Sequence, residues 1–122
     1  MKRGAQLAPL SRDHHVALVH ALRLRRATDE DVAAVVAGFL AFLLGPGREH
    51  FAEEELLAPQ VPDACLAARM LDEHDEILRR AEQLGRDPQV GEAHAVGELV
   101  ADHVRFEERE LFPLLETALS RA

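Results

Sequence analysis

His50 and Glu54, and again His103 and Glu107, place an imidazole and a carboxylate four residues apart. On an α-helix, residues i and i+4 lie one above the other on the same face, so each pair can aim a nitrogen and an oxygen at one point. A histidine also stands upstream of each pair: His14 or His15 before the first, His74 before the second. Two such helices facing each other, with one histidine from each of two more, would supply four nitrogens and two carboxylates. That donor set suffices for two metal ions sharing bridging oxygens inside a four-helix bundle.

The surroundings of these residues strengthen the reading. Val96, Val100, His103, Glu107, Leu111 and Leu114 follow one stripe of helical period, so Glu107 interrupts an otherwise apolar seam. A lone carboxylate there would cost several kcal/mol in desolvation unless paired or metal-bound. His74 sits likewise between Met70 and Leu78, beside Leu71, Ile77 and Ala81. One histidine at a helix centre is more often a hydrogen-bonded core residue than a ligand; four, with two glutamates at i+4, favour metal. Neutral imidazoles suit iron or zinc better than calcium or magnesium, which take all-oxygen shells.

Neighbouring candidates separate by face. His14 falls in the sector of Leu10, Ala17, Leu18 and Ala21, and His15 lies about 100° away, so His14 is favoured over His15 without excluding it. His20 and His94 occupy more polar faces. Glu53 competes with Glu54, but the repeat favours Glu54, and Glu55 and Glu108 read as surface groups or as partners of a ligand. Cys65 reads as a small buried hydrophobe.

Elements able to hold this set follow from composition. The chain has 122 residues, a length that suits one domain over residues 1–122. It is 48% apolar with no Trp or Tyr and five Phe, and Ala, Leu, Glu and Arg dominate, which favours helices over an aromatic-rich sandwich or barrel. A net charge of −8 argues against nucleic acid or an anionic membrane as partner. One cysteine fits a reducing cytoplasm, and no apolar signal segment is read at the N-terminus. There is no nucleophile triad, Gly-rich phosphate loop or HExxH motif.

Ser11 is the expected cap of a first helix running to about Ala27. Thr28-Asp29 then caps a second, whose apolar stretch Val32 to Leu44 suits a helix buried on several sides or meeting a second copy of the chain. Those thirteen residues are too few for a membrane span, which needs about 20. Gly45-Pro46-Gly47 should break or kink the second helix before it resumes through His50 to Leu57. Ala58 to Pro62 connects to a third helix ending near Gly85 as its C′ residue. The fourth runs from about Gln89 to Leu111, is interrupted by Pro113, and extends to about Leu119. Helices one and three align on their histidines and helices two and four on theirs. Short connections then favour an all-α, up-down-up-down antiparallel four-helix bundle.

The order His14, His50-x3-Glu54, His74, His103-x3-Glu107, with Glu-Glu-x-x-Leu-Phe-Pro at Glu107 to Pro113, resembles the hemerythrin-like or HHE cation-binding domains from about Leu10 to Leu119. The resemblance implies a non-haem centre of two iron ions, one near His14 and His50, the other near His74 and His103, with Glu54 and Glu107 bridging both. It also implies a diatomic ligand such as oxygen or nitric oxide, in oxygen binding, redox sensing or iron handling; a homodimer is compatible with it. Leu78 departs from oxygen-carrying members, which have a second histidine there. The reading is therefore a cytoplasmic di-iron protein that senses or handles oxygen, nitric oxide or iron, more a binding protein than a catalyst. Its rivals are a redox enzyme acting on peroxide or oxygen, and a structural bundle with a vestigial or zinc-filled site.

Overall fold

The computed structural model describes residues 3–121, and all regular structure among them is helical. Helix α1 spans Ala8–Arg25, α2 Val32–Phe42, α3 Arg48–Leu57, α4 Ala64–Arg86, α5 Val90–Phe106 and α6 Phe112–Ser120. Two π turns, Leu43–Gly47 and Glu107–Leu111, weld α2 to α3 and α5 to α6. The result is four rods: α1, α2–α3, α4 and α5–α6.

Cross-contacts fix their directions. His20 packs on Phe42 while Asp13 meets His50, so α1 and the second rod run antiparallel. Leu40 approaches Gly85 and Phe51 stacks on His74, so the second rod and α4 do too. Arg80 bonds Glu92 and His103 bonds Glu73, which reverses α4 and α5. The bundle is up-down-up-down, as expected.

Helix ends differ in detail. α1 begins at Ala8, with Pro9 in its first turn where a missing amide costs nothing; Ser11 is not its cap, and its hydroxyl instead donates to Glu108 (2.7 Å). Thr28 does serve the second helix, but reciprocally with Asp31: the Asp31 carboxylate accepts from the Thr28 amide (2.7 Å) and the Thr28 hydroxyl from the Asp31 amide (3.3 Å). Asp63 caps α4 by accepting from the amides of Cys65 and Leu66. Gly85 is not a C′ residue. It lies inside α4, none of the described glycines has positive φ, and a Cβ there would stand 2.7 Å from Leu40 Cδ1.

Nor does Gly45-Pro46-Gly47 interrupt the second rod. Phe42 (φ −64, ψ −52) and Arg48 (φ −64, ψ −40) flank the π turn with helical dihedrals. Pro46 cannot donate to an α-helical carbonyl, and the wider π turn accommodates the irregularity without ending the helix. Pro113 is treated the same way: it sits in the first turn of α6, directly after the other π turn, and the rod continues. The apolar stretch thus belongs to a helical run of 29 residues, Val32–Gln60, long and apolar enough to cross a membrane by length and composition. Its inward face is used by the bundle, through Val32, Val36, Phe39, Leu43 and Phe51, and its outward face, with Ala33, Ala34, Ala37 and Ala41, is exposed in the single chain.

Two apolar clusters fill the interior. One contains Ala21, Leu24, Val36, Phe39, Ile77, Leu84, Val96 and Val100; the other contains Leu7, Leu10, Met70, Phe106, Leu111, Phe112 and Leu115. On α1, α4 and the fourth rod the change from one cluster to the other falls at a histidine, and on the second rod it falls between Phe51 and Leu57, at Glu54; there the core turns polar.

Candidate metal centre

His14, His50, Glu54, His74, His103 and Glu107 make up that layer. They are the buried polar side chains of the described residues, none more than 8% exposed. His15, by contrast, is exposed, and so are Glu53 and Cys65. His94 turns aside to bond the carbonyl of Ala27 and His20 stacks on Phe42, so neither joins the group.

Both carboxylates reach across the layer. Glu54 Oε2 lies 2.9 Å from His50 Nε2 and 3.5 Å from His14 Nε2, and its Oε1 lies 2.9 Å from His74 Nε2. Glu107 Oε1 lies 2.9 Å from His14 Nε2, and its Oε2 lies 3.3 Å from His74 Nε2 and 3.2 Å from His103 Nε2. Two sets result: His14, His50, Glu54 and Glu107, and Glu54, His74, His103 and Glu107. In each, the ligand atoms lie within 4.8 Å of one another. The two sets share both glutamates, as bridging carboxylates require.

The other ring nitrogens are all taken. Nδ1 of His14 donates to Glu108 (2.7 Å), of His50 to Asp13 (3.0 Å), of His74 to Glu55 (2.8 Å) and of His103 to Glu73 (2.7 Å). Such bonds leave Nε2 free to coordinate and hold each ring in orientation. Stacking adds to this, with Phe51 3.8 Å from His74 and Phe112 5.4 Å from His14 between ring centroids.

The four outer carboxylates form a cycle that reading residues one at a time misses. Asp13 on α1 serves the second rod, Glu55 on the second rod serves α4, Glu73 on α4 serves α5, and Glu108 on the fourth rod serves α1. Of the two readings the sequence allows for Glu55 and Glu108, surface group or partner of a histidine, the structure shows the second, and it adds Asp13 and Glu73. A signal exists in the repeat: an acid immediately precedes both His14 and His74, and a second glutamate immediately follows both Glu54 and Glu107.

Electrostatics shows what the donor set lacks without a cation. Burial opposes protonation of His14, yet hydrogen bonds to Glu107 and Glu108, with the Glu54 carboxylate close by, outweigh it and raise its pKa to about 11. For His74 burial is likewise overcome by Glu107 and Glu54, and the pKa rises to about 10. Burial of Glu107 opposes its ionisation, but His103, His14 and His74 hold it well below the usual carboxylate range. The metal-free layer therefore keeps Glu107 charged by protonating imidazoles. Even so, both Glu54 oxygens and His103 Nε2 stay buried without a well-aligned hydrogen bond. Those three atoms are in the shared carboxylate and a facing imidazole, where a cation would satisfy them; the residues fit a metal.

One α4 position lies elsewhere than expected. Leu78 lines an outer groove with Leu40, Leu44 and Arg48, and it is Ile77 that faces the cavity beside the centre.

The family profile described as the hemerythrin HHE cation binding domain matches residues 8–115, nearly the whole chain. The chain belongs to this family, whose domains bind metal cations, commonly iron. Comparisons with curated proteins and with solved structures each returned no significant match.

Proposed function

We propose that the chain is a non-haem di-iron protein that senses or handles oxygen, nitric oxide or iron. The observation that carries this reading is the sharing of Glu54 and Glu107 between two donor sets, each completed by two histidines. His14 and His50 would hold one ion and His74 and His103 the other, both bridged by the two glutamates. Bound iron would supply one-electron redox change and open positions for a small ligand.

The protein's own part is to fix donors and exclude water. Asp13, Glu55, Glu73 and Glu108 keep a proton on each Nδ1, which selects the tautomer with a free Nε2 and makes that nitrogen a better donor. On metal binding the protons held at Nε2 must leave, so uptake should release protons. The apolar clusters above and below the layer keep water from the carboxylates.

A redox enzyme acting on peroxide or oxygen is the second reading. It is favoured by one observation: an apolar cavity reaches His14, His50 and His103 from the surface. Metal analysis after iron-replete expression, with optical spectra of the reduced protein before and after oxygen or nitric oxide, tests the first reading. About two irons per chain and a spectral change on gas addition are expected from the paired donor sets. Zinc alone, or no metal, would return the bundle to a structural role. Catalytic consumption of peroxide, lost in Glu54→Ala, would favour the enzyme.

A further inference from the structure

The cavity beside the polar layer has a volume of about 230 Å³ and an almost wholly apolar lining. Val16, Ala17, Phe39, Phe42, Ile77 and Val104 supply most of its wall. Its inner end is bordered by three of the four buried histidines. Its outer end lies between α1 and the π turn of the second rod, where Val16 is 49% exposed and Pro46 is exposed too. Diatomic gases need far less room. Cavities of about 150 Å³ lined by aliphatic and aromatic side chains stay dry and take up benzene.

We propose that this cavity is a binding site for a neutral, apolar ring compound of about seven to ten heavy atoms, seated against the histidine layer. Three features define that class. The volume exceeds what one benzene ring requires and falls short of a long chain. The wall offers dispersion contacts with Phe39 and Phe42 and almost no polar partner, so a charged or strongly hydrated compound would lose its water without replacement. Polar atoms come only at the two ends: the imidazoles inside, and Asp13 at the mouth, where its carboxylate is held by His50 (3.0 Å). A carboxylate at the entrance disfavours anions in particular. The π turn contributes directly, since Leu43, Pro46 and Gly47 all line the space. The irregular helix thus builds one wall of the site.

The proposal stands on the cavity and goes beyond the assignment of iron. Its test is calorimetric titration of the metal-loaded chain with toluene, with benzoate as the charged counterpart, repeated on metal-free protein. Saturable binding of one toluene per chain is expected, at least tenfold tighter than benzoate. Ala17→Phe fills the space from α1 and should weaken toluene binding at least tenfold while leaving metal content unchanged. Val16→Asp, at a half-exposed position that can accept a charge without unfolding, should weaken it several-fold. No saturable toluene binding, or binding of equal strength in both variants, would overturn the proposal. Toluene binding by a chain that takes up no metal when supplied with iron would leave the cavity assignment standing and remove the iron reading instead.

Discussion

The second and fourth rods carry the same His-x3-Glu pair and each contains a π turn, with Pro46 inside the first and Pro113 just past the second, yet their surroundings differ. In the fourth rod the π turn begins at Glu107 itself, and the helix is pressed against α1 so closely that a Cβ on Gly97 would lie 2.7 Å from the Ala21 carbonyl oxygen and 3.1 Å from the Arg25 amide nitrogen. In the second rod the π turn precedes His50, Pro46 and Gly47 line an open cavity, and a Cβ on Gly45 would meet nothing within 4 Å. The duplicated pairs are thus set in unlike surroundings: one rod is pressed tightly against its neighbour and the other borders an open cavity.

The largest expected effect tests the part the rods share. Glu107→Ala and Glu54→Ala each remove a carboxylate common to both donor sets, so each should take metal content from about two ions per chain to below one. His50→Ala and His103→Ala each remove a nitrogen from one set and should leave about one. A stoichiometry of two in either glutamate variant, read by metal analysis, would break the equivalence of the two halves. Loss of metal should also lower the melting temperature, since binding to the folded state alone contributes about 4 kcal/mol at a thousandfold excess over Kd.

Packing should divide the rods next. Gly97→Ala forces backbone apart where α1 and α5 touch, and overpacking of this kind costs about 1–3 kcal/mol. Gly38→Ala, in α2 of the second rod, adds a methyl that meets nothing within 4 Å and should stabilise by up to about 1 kcal/mol. Chemical denaturation of the metal-free variants measures both, and equal effects would contradict the division into a tight and a loose rod.

The metal-free chain should also lose stability as pH rises. His14 and His74 bind their protons more tightly folded than unfolded, so that contribution is complete below pH 6.5 and disappears as pH climbs toward about 11 and about 10 respectively. Metal-loaded protein holds these imidazoles neutral, and its melting temperature should change less over the same range. Melting curves from pH 7 to 10 with and without metal would show it; parallel curves would mean that the layer is not balanced by imidazole protons.

Much of this was legible in the sequence because helical period and i+4 spacing are local properties. The all-α fold, the bundle topology and the clustering of six buried residues all follow from which side chains share a face. What escaped was set by contacts between rods. Ser11 looks like a helix cap until Glu108 arrives from the far end of the chain to take its hydroxyl. Gly85 looks like a C′ residue because its actual reason, the tip of Leu40, lies on another rod. The Gly-Pro-Gly segment looks like a break because an α-helix has no place for Pro46, whereas a π turn held by packing on both sides does. Asp13 and Glu73 carry no local signal of their partners for the same reason: each adjoins one buried histidine in sequence and bonds another in space.

Those two residues provide the finest test of the contrast between the rods. Asp13 orients His50 in the open rod and Glu73 orients His103 in the tightly packed one, at 3.0 Å and 2.7 Å. Burial opposes ionisation of Glu73, but His103 and Arg69 hold its pKa below the ordinary value, so its charge is retained. Arg69 also lies 3.9 Å over the Phe106 ring, fixing the pair from behind. The Asp13 side chain is 54% exposed, with the cavity mouth beside it. Replacing a carboxylate that orients a metal-bound histidine typically weakens metal affinity about 10–100-fold. Glu73→Gln should fall near the upper end of that range and Asp13→Asn near the lower, because water can take over the bond to His50 but not the one to His103. Competition with a chelator of known affinity gives both values. If Asp13→Asn were the more damaging, the second rod would be holding its histidine as firmly as the fourth, and the contrast between them would have to be abandoned.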